Sequence, residues 1–300
     1  MTVTTGRMPF RDGHTWYRIT GTLGDSRARS PLIVVHGGPG AAHNYCLAMQ
    51  DLAGDGRAVI HYDQFGCGNS SHRPQWDPSQ WTVDLFVDEL AALVARLGIG
   101  ESFHLLGQSW GGMLGPEFVL RHPAGIRSFT ICNSPASMPL WIEAANTLRA
   151  QLPTDVQQSL TRHEQAGTTD SAEYHAATDA FYARHVCRVR PIPQDVADSF
   201  AQIDADPSVY HAMNGPSEFH VIGSLRNWTV VDRLPGIHPP TLVVAGEFDE
   251  AMPLVWQPFV DRIPDVRAHV FPDASHMPHV EQPTQFLQVV GDFLREHDPA

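Results

Sequence analysis

Short apolar segments alternate with helical segments along most of the chain. The apolar runs are continuous rather than alternating, and they are rich in β-branched residues and end in Gly, Asp or Asn. Continuous apolarity indicates burial on both faces, as in a parallel sheet that is covered by helices. The predicted strands span residues 32–36, 58–63, 103–107, 128–133, 241–246 and 267–271.

Two segments between or after these strands carry apolar residues at helical spacing. Residues 82–97 present Leu85, Leu90 and Val94 on one face, and residues 284–297 repeat the pattern through Phe286 and Phe293. Apolar residues three and four positions apart form the stripe of a helix that packs on a core. Strands and helices in this alternation predict an α/β fold with a mostly parallel, doubly wound sheet.

The alternation stops between residues 134 and 234, where no strong strand run occurs. Helical patterns fill much of this segment, at residues 140–152, 155–165 and 171–187, and prolines interrupt the residues after 187. About 100 helical residues between two strands are typical of a cap over the carboxyl edge of the sheet, where open α/β folds bind ligands. We therefore predict a core of residues 1–134 and 235–300 and a helical cap domain of residues 135–234.

Composition narrows the classes of partner. The 300 residues include 20 Lys and Arg against 33 Asp and Glu, which gives a net charge of −13. An acidic surface repels phosphate groups, so we expect neither nucleic acid nor a membrane as a partner. Four cysteines without a CxxC pair, no apolar run of 18 residues and a polar N-terminal segment predict a cytoplasmic protein. The 17 histidines form no recognisable ligand cluster, and we expect no metal and no cofactor.

The strongest chemical motif is GQSWG at residues 107–111. It follows a predicted strand and precedes a helical run. In that context a GxSxG motif places its serine on a strained turn, where the hydroxyl is exposed as a nucleophile. Glycines flank the serine because side chains there would clash across the turn. Ser109 is the predicted nucleophile.

A serine hydroxyl needs a base to take its proton, and the base needs an acid to orient it. In hydrolases of this kind the chain order is serine, acid, histidine. Asp249 follows the strand at 241–246, and His276 follows the strand at 267–271, so both are expected at the same edge of the sheet. The competing candidates are Glu247, Glu250 and Asp273 for the acid, and His269 and His279 for the base.

Two backbone N–H groups are needed to hold the negative charge that develops on the substrate oxygen. One is expected from Trp110, the residue after the nucleophile. The other is expected from the HGGPG segment at 36–40, where Gly38 lets a substrate approach the backbone. Gly37 beside it is expected to contact the substrate.

Five segments together resemble the proline iminopeptidase family of α/β-hydrolases. They span most of the chain and are HGGPG at 36–40, DQFGCGNS at 63–70, GQSWGG at 107–112, MNGPSEF at 213–219 and GEFDE at 246–250. The MNGPSEF segment is most similar to the tricorn-interacting aminopeptidases and related amino-acid amidases. Phe65 and Asn69 stand where prolyl members usually carry Arg, and Gln108 replaces a common Gly. These departures weaken the expectation of a narrow preference for N-terminal proline.

The resemblance implies removal of an N-terminal residue, with acidic side chains holding the free amine of the substrate. By match of motif these are Glu218 and Glu250. We therefore predict a serine aminopeptidase or amino-acid amidase that acts on small peptides or amino-acid amides. An esterase, lactonase or carbon–carbon bond hydrolase with the same triad is the first alternative, and a non-catalytic ligand-binding protein on the same fold is a remote one.

Overall fold

The computed structural model describes residues 1–24 and 29–299, and its framework is one eight-stranded sheet in the order β1-β2-β4-β3-β5-β6-β7-β8. The strands are β1 (Val3–Phe10), β2 (Gly13–Thr20), β3 (Leu32–Val35), β4 (Val59–Asp63), β5 (Phe103–Gln108), β6 (Ile126–Cys132), β7 (Thr241–Gly246) and β8 (Val266–Phe271). All neighbours from β4 to β8 pair in parallel. The predicted α/β class and the six predicted strands are thereby confirmed.

The parallel register brings the carboxyl ends of the central strands to one edge. Val35 of β3 is paired with Gly107 of β5, and Gln108 is paired with Cys132 of β6. The loops that carry the predicted nucleophile, acid and base all leave the sheet at this edge. The sheet topology therefore brings together residues that are far apart in sequence, such as Gln108 and His276, which are separated by 168 positions.

The sequence patterns do not predict the antiparallel hairpin of β1 and β2. Most residues of β1 are exposed, and only Met8 and Phe10 are buried. The hairpin extends the sheet beyond β4, with Trp16 paired to Asp63. A strand that is covered on one face only lacks the continuous apolar run by which the central strands are recognised.

Helices cover both faces of the sheet and fill the segment between β6 and β7. They are α1 (Val83–Leu97), α2 (Trp110–Arg121), α3 (Met138–Arg149), α4 (Thr154–Ala166), α5 (Ala172–His185), α6 (Gln194–Ala205), α7 (Ser208–Met213), α8 (Pro253–Arg262), α9 (Pro278–Glu281) and α10 (Pro283–Glu296). A 3-10 helix spans His43–Asp55. Among residues 1–24 and 29–299, no helix combines the length and the apolarity that crossing a bilayer requires.

The helices α3 to α7 follow one another between β6 and β7, in the segment for which the sequence predicts a cap. The sequence patterns do not predict α6 and α7, because prolines interrupt this part of the segment. Pro193 and Pro207 in fact directly precede the first residues of α6 and α7. Proline is compatible with a helix start because the first N–H groups have no partner within the helix.

Candidate active site

Ser109 sits on the sharp turn between β5 and α2. Its backbone angles are φ 54° and ψ −121°, a conformation that a residue with a side chain adopts only under strain. A side chain on Gly111 would place its Cβ only 2.1 Å from the carbonyl oxygen of Val35, so glycine is required there. The strand, turn and helix that the GQSWG motif predicts are present.

Asp249 and His276 meet at the carboxyl edge of the sheet. Nδ1 of His276 lies 2.7 Å from Oδ1 of Asp249, and both side chains are buried. The carboxylate also accepts hydrogen bonds from the backbone N–H of Ala251 at 2.9 Å and from the side-chain amide of Asn133 at 2.6 Å. Three donors fix the orientation of the carboxylate, and the carboxylate in turn fixes the imidazole.

The contact between Asn133 and Asp249 was not anticipated from the sequence. Asn133 directly follows β6, is fully buried and has a φ of 52°. Its side-chain amide also donates to the carbonyl of Ser275 at 3.3 Å, so it joins the acid to the loop of the base. The sequence feature that indicates such a role for Asn133 is a polar residue at the carboxyl end of a buried strand.

The surroundings of His276 change its basicity. Burial on its own acts to lower the pKa of His276, but the charge of Asp249 and the hydrogen bond to it raise the pKa above its ordinary value. The charge of Glu218 acts in the same direction. An imidazole with a raised pKa is a stronger base toward a serine hydroxyl.

A chain of buried hydrogen bonds links the residue before Ser109 to the loop of His276. The side-chain amide of Gln108 donates to the backbone carbonyl of His276 at 3.0 Å, and Oε1 of Gln108 accepts from the hydroxyl of Tyr45. Within the described residues, no hydrogen bond joins the Ser109 hydroxyl directly to His276. In hydrolases without substrate, this contact is often longer than in the Michaelis complex.

The predicted oxyanion residues flank Ser109. Gly38 has a φ of 108°, and a Cβ there would lie 2.5 Å from the backbone nitrogen of Gly40, so the turn requires glycine. A Cβ on Gly37 would lie 2.8 Å from Cβ of Ser109, which puts Gly37 directly against the nucleophile. Trp110 is the first residue of α2, where backbone N–H groups have no partner within the helix.

Gln64 joins the two segments from which the oxyanion N–H groups are predicted to come. Its side-chain amide donates to the carbonyl of His36 at 2.9 Å, and its Oε1 accepts from the indole N–H of Trp110 at 2.8 Å. Gln64 and His36 are both fully or nearly fully buried. The DQFGCGNS segment therefore supports the nucleophile turn, a role that the sequence pattern did not reveal.

Two further carboxylates, Glu250 and Glu218, lie near His276. Glu250 is 1% exposed, and neither of its carboxylate oxygens has a hydrogen-bond partner among the described residues. Its Oε1 lies 3.9 Å from Nδ1 of His276. Burial, reinforced by the charges of Glu218 and Asp249, raises the pKa of Glu250 well above its ordinary value.

Glu218 lies in the segment between β6 and β7. Its Oε1 accepts a hydrogen bond from the hydroxyl of Tyr210 at 2.8 Å. Burial raises the pKa of Glu218, although the charge of His276 and the bond from Tyr210 oppose the rise. The charge of Glu218, which is partly buried, disfavours ionisation of the buried Glu250, and a cation at Glu250 would offset this effect.

The segment between β6 and β7 contacts His276 and the two carboxylates through α5 and α3. The carbonyl of His185, the last residue of α5, accepts from the backbone N–H of His276 at 3.2 Å and of Glu250 at 3.4 Å. The indole N–H of Trp141 in α3 donates to the carbonyl of Glu218 at 2.7 Å, and its ring packs edge-on against His276 at 6.0 Å. These helices thus help to fix the positions of His276, Glu250 and Glu218.

The competing acids lie apart from this arrangement, with the exception of Glu250. Glu247 is exposed and accepts from the backbone N–H of Asp273 at 3.0 Å, so these two candidates contact each other. Asp249 is the acid candidate within hydrogen-bond distance of His276.

The competing bases have structural contacts. His279 is buried, with Nε2 3.0 Å from the carbonyl of Tyr45, and burial lowers its pKa to about 3. His269 packs against Phe271 at a ring distance of 4.5 Å. Neither imidazole is bonded to an acid candidate, so His276 is the base candidate that the geometry favours.

The aromatic residues Trp110, Phe219 and Trp228 also have structural contacts. Trp110 bonds to Gln64, and Phe219 packs on Phe181 at 4.9 Å. The indole of Trp228 donates to Glu117 at 2.9 Å.

Comparison with known proteins gives one consistent family. A family model described as α/β hydrolase fold matches residues 30–283. A curated proline iminopeptidase of Heyndrickxia coagulans is 39% identical over 265 residues, which are 88% of this chain and 90% of the relative. A proline iminopeptidase of Clostridium botulinum is 34% identical over 99% of this chain and 100% of its own.

Solved structures agree with this result over nearly the full length. The crystal structure of VinJ matches with a TM-score of 0.96 and 50% identity, over 98% of this chain and 99% of VinJ. The crystal structure of a proline iminopeptidase of Mycobacterium smegmatis matches with a TM-score of 0.90 and 56% identity, over 98% of each chain.

Proposed function

The chain belongs to the proline iminopeptidase family of α/β-hydrolases, and from that premise we propose that it is a serine aminopeptidase or amino-acid amidase. It acts on small peptides or amino-acid amides with a free amine and removes the first amino acid through an acyl-enzyme. The proposed triad is Ser109, His276 and Asp249. The N–H groups of Gly38 and Trp110 are the proposed oxyanion hole.

The observation that carries this proposal is the unpaired carboxylate of Glu250. A carboxylate that is 1% exposed and accepts no hydrogen bond from the described residues costs several kcal/mol unless a cation compensates its charge. Glu218 raises that cost, because its charge acts on Glu250 as well. The ammonium group of a substrate supplies the missing positive charge and three N–H donors.

The proposed reaction proceeds in two halves. The Ser109 oxygen attacks the scissile carbonyl while His276 takes the hydroxyl proton, and the two N–H groups hold the resulting oxyanion. His276 then gives this proton to the leaving amine as the carbon–nitrogen bond breaks. In the second half, His276 takes a proton from water, the hydroxide oxygen attacks the acyl-enzyme, and the proton returns to Ser109. No redox step and no cofactor is required.

The proposal also includes a helical cap domain of residues 135–234 and a cytoplasmic location. A cap of α3 to α7 is supported by the hydrogen bonds of Trp141 to Glu218 and of His185 to the backbone of His276 and Glu250. Cytoplasmic location is supported by four cysteines that are buried free thiols, as expected in a reducing compartment. We propose no nucleic-acid or membrane partner.

A matched pair of substrates tests the proposed activity. An aminoacyl 4-nitroanilide with a free amine is compared with its N-acetylated form, and kcat/KM of the free amine is expected to be at least about 30-fold higher. Ser109→Ala should lower the rate at least about 10³-fold. Equal rates on both substrates would contradict the amine-binding role and favour the esterase, lactonase or carbon–carbon hydrolase alternative.

Glu250→Gln and Glu247→Gln form a matched pair of variants. Both lie in the GEFDE segment, but Glu247 is exposed and contacts Asp273 instead of His276. Glu250→Gln should remove most of the advantage of the free-amine substrate, and Glu247→Gln should leave it intact. Labelling of Ser109 by a fluorophosphonate separates an active nucleophile from the ligand-binding alternative, for which no labelling is expected.

A further inference from the structure

An ion pair joins the end of α6 to the chain just after the DQFGCGNS segment. Nδ1 of His72 lies 2.6 Å from Oδ2 of Asp206, a residue that is 134 positions away in sequence and directly follows α6. Nε2 of His72 lies 2.9 Å from the carbonyl oxygen of Gly68. Both ring nitrogens therefore face oxygen acceptors, and the imidazole can donate to both only in its doubly protonated, positively charged form. The catalytic proposal does not use this pair.

The carboxylate of Asp206 also fixes the start of α7. Its Oδ1 accepts from the backbone N–H of Ser208 at 3.2 Å and from the Ser208 hydroxyl at 2.6 Å. Burial acts to raise the pKa of Asp206, but the hydrogen bonds from Ser208 and His72 lower it below its ordinary value. One charged carboxylate thus connects the first residue of α7 to His72.

The helix α7 lies directly against two glycine-rich segments of the site. A Cβ on Gly40, the last residue of HGGPG, would lie 2.9 Å from the backbone nitrogen of Tyr210. A Cβ on Gly66, within DQFGCGNS, would lie 2.6 Å from Cγ2 of Val209. Glycine at both positions permits this close approach of the helix.

Tyr210 connects α7 to the proposed amine site. Its side chain is buried, and its hydroxyl donates to the Glu218 carboxylate at 2.8 Å. The charge of Glu218 acts in turn on Glu250 and on His276. A displacement of α7 would move the Tyr210 hydroxyl and would thereby change the orientation of the Glu218 carboxylate.

We propose that His72 and Asp206 are positioning residues for the free amine of the substrate. Their ion pair holds α7 against the HGGPG and DQFGCGNS segments, and α7 holds Tyr210 on Glu218. The inference rests on the function proposed above and extends it to two residues that do not touch the substrate. The pair therefore controls substrate affinity, whereas the chemical step is left to the triad.

His72→Ala and His14→Ala form a matched pair of variants. His14 also supports the segment that carries His72, through contacts with the Asn69 carbonyl at 3.3 Å and the Ser71 hydroxyl at 2.9 Å, but these contacts do not reach α7. On a free-amine aminoacyl 4-nitroanilide, KM should rise about 3- to 10-fold in His72→Ala, which is the scale of one hydrogen bond, and stay unchanged in His14→Ala.

The turnover number separates positioning from general damage to the site. In His72→Ala, kcat should stay within about 2-fold of wild type, because Gln64 and Tyr45 hold the HGGPG segment independently of α7. KM does not depend on the fraction of enzyme that folds, so poor folding cannot imitate the expected change. A fall in kcat at constant KM would overturn the proposal.

A second variant and a double-mutant cycle locate the effect. Asp206→Asn keeps an acceptor for Ser208 but removes the charge that His72 faces, so it should raise KM as His72→Ala does. Tyr210→Phe removes the bond to Glu218 and keeps the ring. In that background His72→Ala should change KM less than about 2-fold, because its effect is transmitted through Tyr210. A full further rise of KM would contradict this route.

Hydrogen–deuterium exchange tests the attachment of α7 without any substrate. Backbone amides of residues 208–215 should exchange at least about 3-fold faster in His72→Ala and Asp206→Asn than in wild type, and at the wild-type rate in His14→Ala. Unchanged exchange in the first two variants would show that the ion pair does not hold α7.

The outcomes separate the two proposals. If wild type cleaves the free-amine anilide, but KM in His72→Ala and Asp206→Asn equals that of wild type, the positioning role is wrong and the aminopeptidase activity stands. If wild type cleaves no free-amine anilide while Ser109 still reacts with a fluorophosphonate, the proposed function is wrong and the amine role of the pair falls with it.

Discussion

The side-chain amide of Gln108 donates a hydrogen bond to the backbone carbonyl of His276 at 3.0 Å. The residue before Ser109 therefore holds the segment that carries His276. Oε1 of the same amide accepts from the hydroxyl of Tyr45, which in turn accepts from the N–H of Gly37 at 2.6 Å. One buried network thus joins β5, the loop of His276 and the HGGPG segment.

Replacing Gln108 should impair turnover more than substrate binding. Gln108→Glu keeps an acceptor for Tyr45 but loses the donor to His276, so we expect kcat to fall about 10-fold or more with KM little changed. Steady-state kinetics on an aminoacyl anilide measure the split. Gln50→Glu is the control, because Gln50 contacts Arg18 away from the site. A rise in KM at constant kcat would contradict the positioning role.

Asn133 should matter through its bond to Asp249. Asn133→Gly tolerates the positive φ of 52° and removes the bond, so the acid loses one of three donors. We expect kcat to fall about 10- to 100-fold, since partners of a catalytic group contribute on this scale. Circular dichroism and thermal unfolding verify that the fold persists. Wild-type kcat in a folded variant would show that Asn133 does not orient the acid.

The acid limb of the pH profile of kcat/KM should reflect the protonation of two groups, His276 and Glu250. Burial acts to lower the pKa of His276 but Asp249 raises it, and burial raises the pKa of Glu250. His276 must be neutral to act as a base, and Glu250 must be ionised to bind an ammonium group. As pH falls, kcat/KM on a free-amine substrate should therefore drop with a slope near two.

The matching variant changes that slope in a defined way. Glu250→Gln removes one of the two protonations, so the slope of log kcat/KM against pH should fall to about one. On the alkaline side, loss of the substrate ammonium near about pH 8 should lower the wild-type rate. A slope that is unchanged in Glu250→Gln is inconsistent with an ionised Glu250 in amine binding.

Glu250 should reduce the stability of the free enzyme at neutral pH. Its pKa is higher in the folded than in the unfolded chain, so the folded state loses stability as pH rises above the unfolded pKa of about 4. Glu250→Gln should then raise the free energy of unfolding by about 1–3 kcal/mol at pH 7 and by little at pH 4. Denaturant unfolding at both pH values checks this; a destabilised variant at pH 7 would refute it.

Asp298 should stabilise the end of the chain. It accepts from Arg29 at 2.8 Å, from Arg57 at 2.9 Å and from His104 at 3.1 Å. Burial acts to raise the pKa of Asp298, but the bonds to His104 and Arg29 lower it, so its contribution is present above the unfolded pKa of about 4 and lost as pH falls. Asp298→Ala should cost about 2 kcal/mol at pH 7, measured by denaturant unfolding.

The control for that variant is Asp292→Ala. Asp292 pairs with Arg295 on the same terminal segment, but its side chain is 64% exposed. A surface pair of this kind contributes roughly 0–1 kcal/mol. Equal losses of stability in both variants would argue against a specific role of the Asp298 cluster.

Much of the framework could be predicted from the sequence alone. The six central strands are recognisable as continuous apolar runs, because a parallel strand is buried on both faces. The sequence also predicts that Ser109, Asp249 and His276 lie near one another. Each of these residues follows a strand, and parallel strands end at one edge of the sheet. Strand β1, which is mostly exposed, and helix α6, which directly follows a proline, have no comparable apolar pattern in the sequence.

The sequence by itself determined which residue types stand at the carboxyl edge of the sheet, because local periodicity and glycine positions specify strands and the turns after them. Only the tertiary structure decided which side chains meet there. Glu247, Asp249 and Glu250 are near neighbours in one loop, yet one is exposed, one bonds to His276 and one is buried without a partner among the described residues. The direction in which each carboxylate points depends on packing against Asn133, Ala251 and the end of α5, and most of these contacts join segments that are far apart in sequence.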